Sequence, residues 1–186
     1  MTELYTSNDL DAVVDNNILM DFYELGRLEL LFGCFNILII PRMIYTEEML
    51  NEIKTILEKE DYDYEICDIR TDSGLKIYQT LTSDQTYKGL SHYDRIAIAI
   101  AGENLYYCSS NDLPVRKACE ALNVKYTGTL GILGRCYVQG LLKFADLDTC
   151  LDMLCSDETS CYISETLIDK FKEDIKTHDV IKEVNP

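Results

Sequence analysis

Residues 90–118 read LSHYDRIAIAIAGENLYYCSSNDLPVRKA, and the folding of this stretch sets the class of the whole chain. Leu105–Cys108 is short and wholly apolar or aromatic, the pattern of a strand buried on both faces. Ser109, Ser110, Asn111 and Asp112 follow it as a polar cluster. Pro114 falls where a helix starts without losing a needed donor, which predicts a helix over Leu113–Leu122. On the upstream side, Arg95–Ala101 alternates Ile and Ala, a pattern that fits a strand. The alanines, and Gly102 as a C-terminal cap, decide for a helix instead. The stretch therefore reads helix, turn, strand, helix. Asp94 lies near the start of the first helix. Asp112 lies just past the carboxyl end of the strand, where open α/β sheets bind their ligands.

The same logic extends upstream. Ala12–Val14 is an apolar run that ends in Asp15, so Asp15 has the placement of Asp112. Ile18, Leu19, Phe22, Leu25, Leu28 and Leu31 recur at helical spacing, with Gly26 separating two helices or kinking one. Asp15 also suits a helix N-cap, and both roles coexist if Asn16 or Asn17 takes the cap. Asn36–Ile40 is a second buried strand, ended by Pro41. Arg42–Lys59 reads as one helix with an apolar face from Ile44 to Leu57. Glu47 and Glu48 fall in its early turns, where an acid also complements the helix dipole. YEICDI, within Asp61–Arg70, reads as an edge strand. Asp72–Thr82 reads as a helix and Val124–Tyr126 as a small strand.

Gly128, Gly131 and Gly134 recur every three residues, which is not the dinucleotide fingerprint. They give a helix a smooth side that another backbone can approach. From Asp146 the pattern is helical to near the end. Leu167, Ile168, Phe171 and Ile175 form a stripe expected to dock on its own domain or to mediate dimerisation.

The 186 residues suffice for one domain with a sizeable core and an appended helical piece. The start, MTELYTSNDLDA, has neither the basic nor the apolar region of a secretory signal. No apolar run approaches membrane-spanning length, so a cytoplasmic protein is expected, with no membrane partner. There are eight cysteines, two histidines and no CxxC. That composition predicts buried, reduced thiols rather than disulfides or a zinc site. The net charge of −16 argues against a generic nucleic-acid binder, which carries a basic face. The acidic blocks at 58–72 and 146–158 read as solvated surface.

Alternating strands and helices predict a parallel sheet flanked by helices. Two strands end in acids, Asp15 and Asp112, and two helices carry Glu47 and Asp94. Four carboxylates converging on one edge repel one another unless a cation compensates. Oxygen-only ligands select Mg²⁺ or Mn²⁺ over zinc, and such ions serve phosphodiester cleavage.

The ordered set VVDNNILMDF, IPRMIYTEEM, LSHYDRIAIAIA and CSSNDLPVRKACEALNVKYTGTLGIL resembles a PIN domain, and more narrowly the VapC-type, toxin-like members. The resemblance covers roughly residues 12–142. It implies an α/β, three-layer sandwich with a central, mostly parallel sheet, plus a C-terminal helical extension over residues 143–186. It further implies a metal-dependent endoribonuclease. Asp15, Asp94 and Asp112 would hold Mg²⁺ or Mn²⁺, and Glu47 would be the fourth catalytic acid, with Glu48 its rival. Asn17 and Ser110 would hold the carboxylates in place, Ser110 standing where the family has Thr. Arg116 would contact a substrate phosphate, and Arg42, Arg95 and Lys117 lie close enough to the acids to add to a local basic patch. RNA is the implied substrate, a small antitoxin the implied partner and a homodimer a further expectation.

Two departures bear on activity. The 61–89 segment is longer and more acidic than compact members need, and the C-terminal extension is absent from small toxins. A non-catalytic PIN-like module that binds a protein or RNA is the alternative. A phosphatase of the DxD type is disfavoured because position 17 is Asn.

Overall fold

The computed structural model describes residues 3–6, 10–156, 159–161 and 163–184, and for residues 3, 6 and 176–184 the backbone alone. Five strands form one all-parallel sheet: β1 (Ala12–Val14), β2 (Leu38–Pro41), β3 (Tyr64–Cys67), β4 (Tyr107–Ser109) and β5 (Tyr126–Thr127). Their order is β3-β2-β1-β4-β5. The chain builds outward from β1 through β2 to β3, then crosses back to lay β4 on the other flank of β1. Val14 of β1 stands opposite Ser109 of β4. The strand order thus reverses between β1 and β4, and the crevice beyond their carboxyl ends is the favoured ligand position in such sheets.

Ten helices surround the sheet: α1 (Glu3–Thr6), α2 (Asn16–Glu24), α3 (Leu28–Gly33), α4 (Asn51–Lys59), α5 (Asp72–Ser83), α6 (His92–Asn104), α7 (Leu113–Ala121), α8 (Thr129–Val138), α9 (Phe144–Cys155) and α10 (Glu165–Val184), counted among the described residues. Side chains alternate across a strand, and the two cores follow that alternation. Ala12, Val14, Leu38, Ile40 and Tyr107 face α2, α3, α4, α8, α9 and α10. Val13, Ile39, Cys67 and Cys108 face α6 and α7, with Leu81 of α5 beside them. The α/β sandwich is as expected, and its sheet is wholly rather than mostly parallel. All eight cysteines are free thiols, six of them buried. Among the described residues no helix is long and apolar enough to cross a membrane.

Several boundaries differ from expectation, each for a local reason. The strand before Asp112 is Tyr107–Ser109. Leu105 is instead the C-cap of α6, in the left-handed conformation with φ 61°, and 80% exposed. Gly102 is not the cap. It lies inside α6, where an added Cβ would meet the Ile77 side chain at 2.6 Å, so it admits α5 at close range. The single helix expected over Arg42–Lys59 is two pieces, a π-helical turn at Ile44–Glu48 and then α4. Met49 and Leu50 turn extended between them, with ψ 133° and 144°. The last strand is Tyr126–Thr127 rather than Val124–Tyr126.

The C-terminal stretch is two helices. Ile168, Phe171 and Ile175 of α10 are buried in the same cluster as Ala12 and Val14, whereas Leu167 is 47% exposed. The smooth side of α8 admits side chains rather than a second backbone. Gly134 lies against Phe171 and Tyr5, Gly131 against Thr127 and Leu4, and Gly128 against Arg116 and Asn111.

Candidate active site

Three carboxylates meet at the crevice beyond β1 and β4. Each arrives by a different local device. Asp15 ends β1 and is itself the N-cap of α2, so neither Asn16 nor Asn17 takes that position. One Asp15 oxygen accepts the Asn16 backbone N–H at 2.8 Å and the other accepts the Ser110 hydroxyl at 3.0 Å. Asp94 is the third residue of α6 and closes a capping box with Ser91. Its Oδ2 accepts the Ser91 N–H at 2.7 Å while Ser91 Oγ accepts the Asp94 N–H at 3.1 Å. This reciprocal pair stiffens the first turn and fixes the Asp94 carboxylate. Asp112 is the N-cap of α7 by backbone, and its side chain makes no capping bond. Asn17 Nδ2 lies 3.5 Å from its Oδ2.

Each of the three offers an oxygen within 4.8 Å of the other two. Ser110 joins two of them, donating to Asp15 while its Oγ accepts the Asp112 N–H at 3.2 Å. The electrostatic consequence is clearest at Asp15, which is 5% exposed. Burial first, and then the Asp94 charge, push its carboxyl up to about 7, against the pull of the Ser110 and Asn16 bonds. Asp112 is exposed and is raised less, by partial burial and Asp94, with the Arg116 guanidinium opposing. Like charges at this range disfavour their joint ionisation, and a hard divalent cation with oxygen ligands relieves it. The donor set therefore fits Mg²⁺ or Mn²⁺. Among the described residues this is the one such cluster, and Cys150, Cys155 and Cys161 do not form another.

Glu47 does not join the trio. It is exposed, and its Oε2 accepts the Tyr93 hydroxyl at 3.0 Å. Glu48 is half-buried and feels Asp94. Burial, then Asp94, then Glu47 raise its carboxyl. Both residues lie on the same π-helical turn.

Two of the basic residues are engaged by neighbouring groups. Arg116 is turned inward, donating from Nε to the Ser110 carbonyl at 3.1 Å and from Nη2 to Asn111 Oδ1 at 3.4 Å. It braces the loop that carries Asp112 and lends that carboxylate a positive neighbour. Arg42 is spent on Asp68, 2.8 Å away. Arg95 has a buried Nε with no hydrogen-bond partner, and Lys117 is exposed.

One group escaped sequence reasoning. Asp21 is 3% exposed and accepts bonds from the Thr129 hydroxyl and from Asn111 Nδ2, the latter at 2.6 Å. Asn111 Oδ1 in turn accepts the Thr129 N–H at 3.0 Å. This network ties α2 and the start of α8 to the loop between Ser110 and Asp112. Burial raises the Asp21 carboxyl, and the hydrogen bonds oppose the rise. The available clue was its spacing, three residues after Ile18 and four before Leu25, which sets an acid in the apolar stripe of α2.

Comparison with family models matches residues 11–177 to a model described as PIN domain. No curated protein gave a match.

Proposed function

The chain belongs to the PIN domain family, a family of nucleases, and we propose that it is a metal-dependent endoribonuclease hydrolysing RNA phosphodiester bonds. The observation that carries this reading is the convergence of Asp15, Asp94 and Asp112 within 4.8 Å. These three would hold Mg²⁺ or Mn²⁺. The chemistry such an ion supplies is a water made nucleophilic near neutral pH and an offset for charge on the phosphoryl and leaving oxygens.

The protein's own groups do the rest by positioning. Ser110 holds Asp15 and the Asp112 backbone in one frame. Asn17 steadies Asp112. The Ser91–Asp94 capping box presents Asp94 without a flexible stem. Glu48, half-buried and raised in part by the Asp94 charge, is the acid we assign to orienting the attacking water, in preference to Glu47. Such supporting bonds matter because small displacements of ligating carboxylates cost activity.

The toxin-like resemblance extends the proposal to the toxin of a toxin–antitoxin pair, with a small antitoxin protein as partner. Growth arrest on expression, relieved by the product of an adjacent open reading frame, is the expected result.

The test of catalysis uses Asp112→Asn, which keeps shape and removes one charge from the trio. Wild type should cleave RNA with Mn²⁺ and stop on adding EDTA. The variant should not cleave. In EDTA it should be as stable as wild type or more so, by on the order of 1 kcal/mol, as is common where function opposes stability. Millimolar Mn²⁺ should raise the wild-type Tm by mass action and the variant's far less. A clearly destabilised variant, with wild type indifferent to Mn²⁺, would make Asp112 a structural residue and favour the non-catalytic binding module.

A further inference from the structure

Two cavities with shared lining residues lie next to the carboxylate trio. The first, about 280 Å³, opens between Asn17, Asp112, Asn111 and Cys161. The second, about 690 Å³, is lined by residues of β5 and α10. Asn111 and Cys161, in contact with each other at 3.6 Å, line both, so the two are adjacent parts of one trough beside Asp112. Asn17, Asn111 and Tyr126 line one part of it, and Ser160, Cys161, Ile163, Ser164 and α10 the other.

The chemistry changes along this trough. Beside Asp112 it is polar. The larger cavity carries the guanidinium of Arg116 and the ammonium of Lys170, with apolar surface from Leu167 and Phe171. Lys170 is exposed and has no ion pair among the described residues. Tyr126, 40% exposed, offers an aromatic face. Asp174 adds one negative charge to the lining.

In a chain of net charge −16, the larger cavity sets two cations and a half-exposed aromatic ring against one carboxylate, Asp174. Cations spaced along apolar and aromatic walls suit single-stranded nucleic acid, whose phosphates pair with the cations while its bases stack. An apolar protein helix would find the apolar surface but offer nothing to the Lys170 ammonium.

We propose that this trough is the nucleotide-binding subsite of the enzyme. It would take the one or two nucleotides of single-stranded RNA that flank the cleaved phosphate, with the C-terminal extension lining part of it. The inference rests on the nuclease reading for the position of the cleaved phosphate. It goes beyond that reading in giving the extension a role in substrate binding.

Anisotropy of a 5′-labelled oligouridylate decamer, with Ca²⁺ in place of Mn²⁺, tests it. Lys170→Glu and Tyr126→Leu should each weaken binding at least fivefold. Lys76→Glu, on exposed α5, should leave it within twofold of wild type. In Mn²⁺ cleavage assays the first two should raise KM with little change in kcat.

Wild-type cleavage with unaltered Kd and KM in both trough variants overturns the subsite and leaves the nuclease reading intact. Weakened binding by the trough variants, in a protein that never cleaves RNA, supports the subsite and removes the nuclease. A wild type that neither binds nor cleaves the decamer overturns both. If Leu167→Asp changes the molecular mass by light scattering while RNA affinity stays the same, the trough belongs to a second copy of the chain, and the proposal falls.

Discussion

Asp15 carries the sharpest consequence at the scale of single residues. Its carboxyl titrates near 7 in the folded chain, against about 3.9 in an unfolded one. Between those values the folded state holds the extra proton, so stability falls as pH rises through that window. The favourable contribution is complete below about pH 4 and gone above about pH 7. With EDTA present, wild type should therefore be more stable at pH 5.5 than at 7.5, with Asp15 accounting for about 2 kcal/mol of the difference. Asp15→Asn should remove that part of the slope in urea melts at the two pH values. Asp112 and Glu48, also raised, add to the slope with the same sign and survive the substitution. A slope unchanged in Asp15→Asn would place the titrating group elsewhere.

At the scale of elements, the π-helical turn carries both candidate glutamates, and we assign the water-orienting role to Glu48. A π turn holds more residues than an α turn and shifts the side chains that follow it around the axis, a feature often found at functional sites. Here Glu48 meets the field of Asp94 while Glu47 bonds outward to Tyr93. Glu48→Gln should lower kcat by roughly 100-fold, the order expected of a general acid–base or water-orienting group. Glu47→Gln should cost less than tenfold. Steady-state kinetics on one RNA separates them, and the reverse ranking would reassign the role to Glu47. The C-terminal end of α6 yields a second prediction. Leu105 holds φ 61° while 80% exposed, so it bears left-handed strain with little packing in return. Leu105→Gly should stabilise the protein by about 1 kcal/mol in denaturant melts, with catalysis unchanged.

For the molecule as a whole, Arg135 connects parts that are distant in sequence. It is fully buried on α8. Its Nε donates to the Cys34 carbonyl and its Nη1 to the Leu4 carbonyl, both at 2.6 Å, and its guanidinium lies 5.5 Å from the centre of the Phe35 ring. It therefore ties α1 and the end of α3 to α8, and α8 supports both Thr129 and the α10 contact at Gly134. Arg135→Met should cost about 3 kcal/mol, because it leaves two buried carbonyls unsatisfied. Arg135→Lys should recover little, since one ammonium does not reproduce the guanidinium fork. Equilibrium unfolding would read both, and a neutral Arg135→Met would show that the carbonyls find other partners.

The five strands, most helices and the meeting of Asp15 with Asp112 were legible in the chain because each rests on local pattern. Short apolar runs mark buried strands, 3.6-residue spacing marks helices, and an acid that ends a strand is carried to the sheet edge with it. Asp94 was legible for a similar reason, since its capping box lies within four consecutive residues. What stayed hidden depends on partners far away in sequence. Leu105 accepts a left-handed cap because α6 must end there for β4 to enter beside β1. Gly102 is small because α5 packs across it. The rise of the Glu48 carboxyl depends in part on Asp94, far along the chain. Asp21 finds partners 90 and 108 residues on, and the inward turn of Arg116 requires Gly128 to leave it room. No window of sequence contains both halves of such contacts, so packing alone settles them.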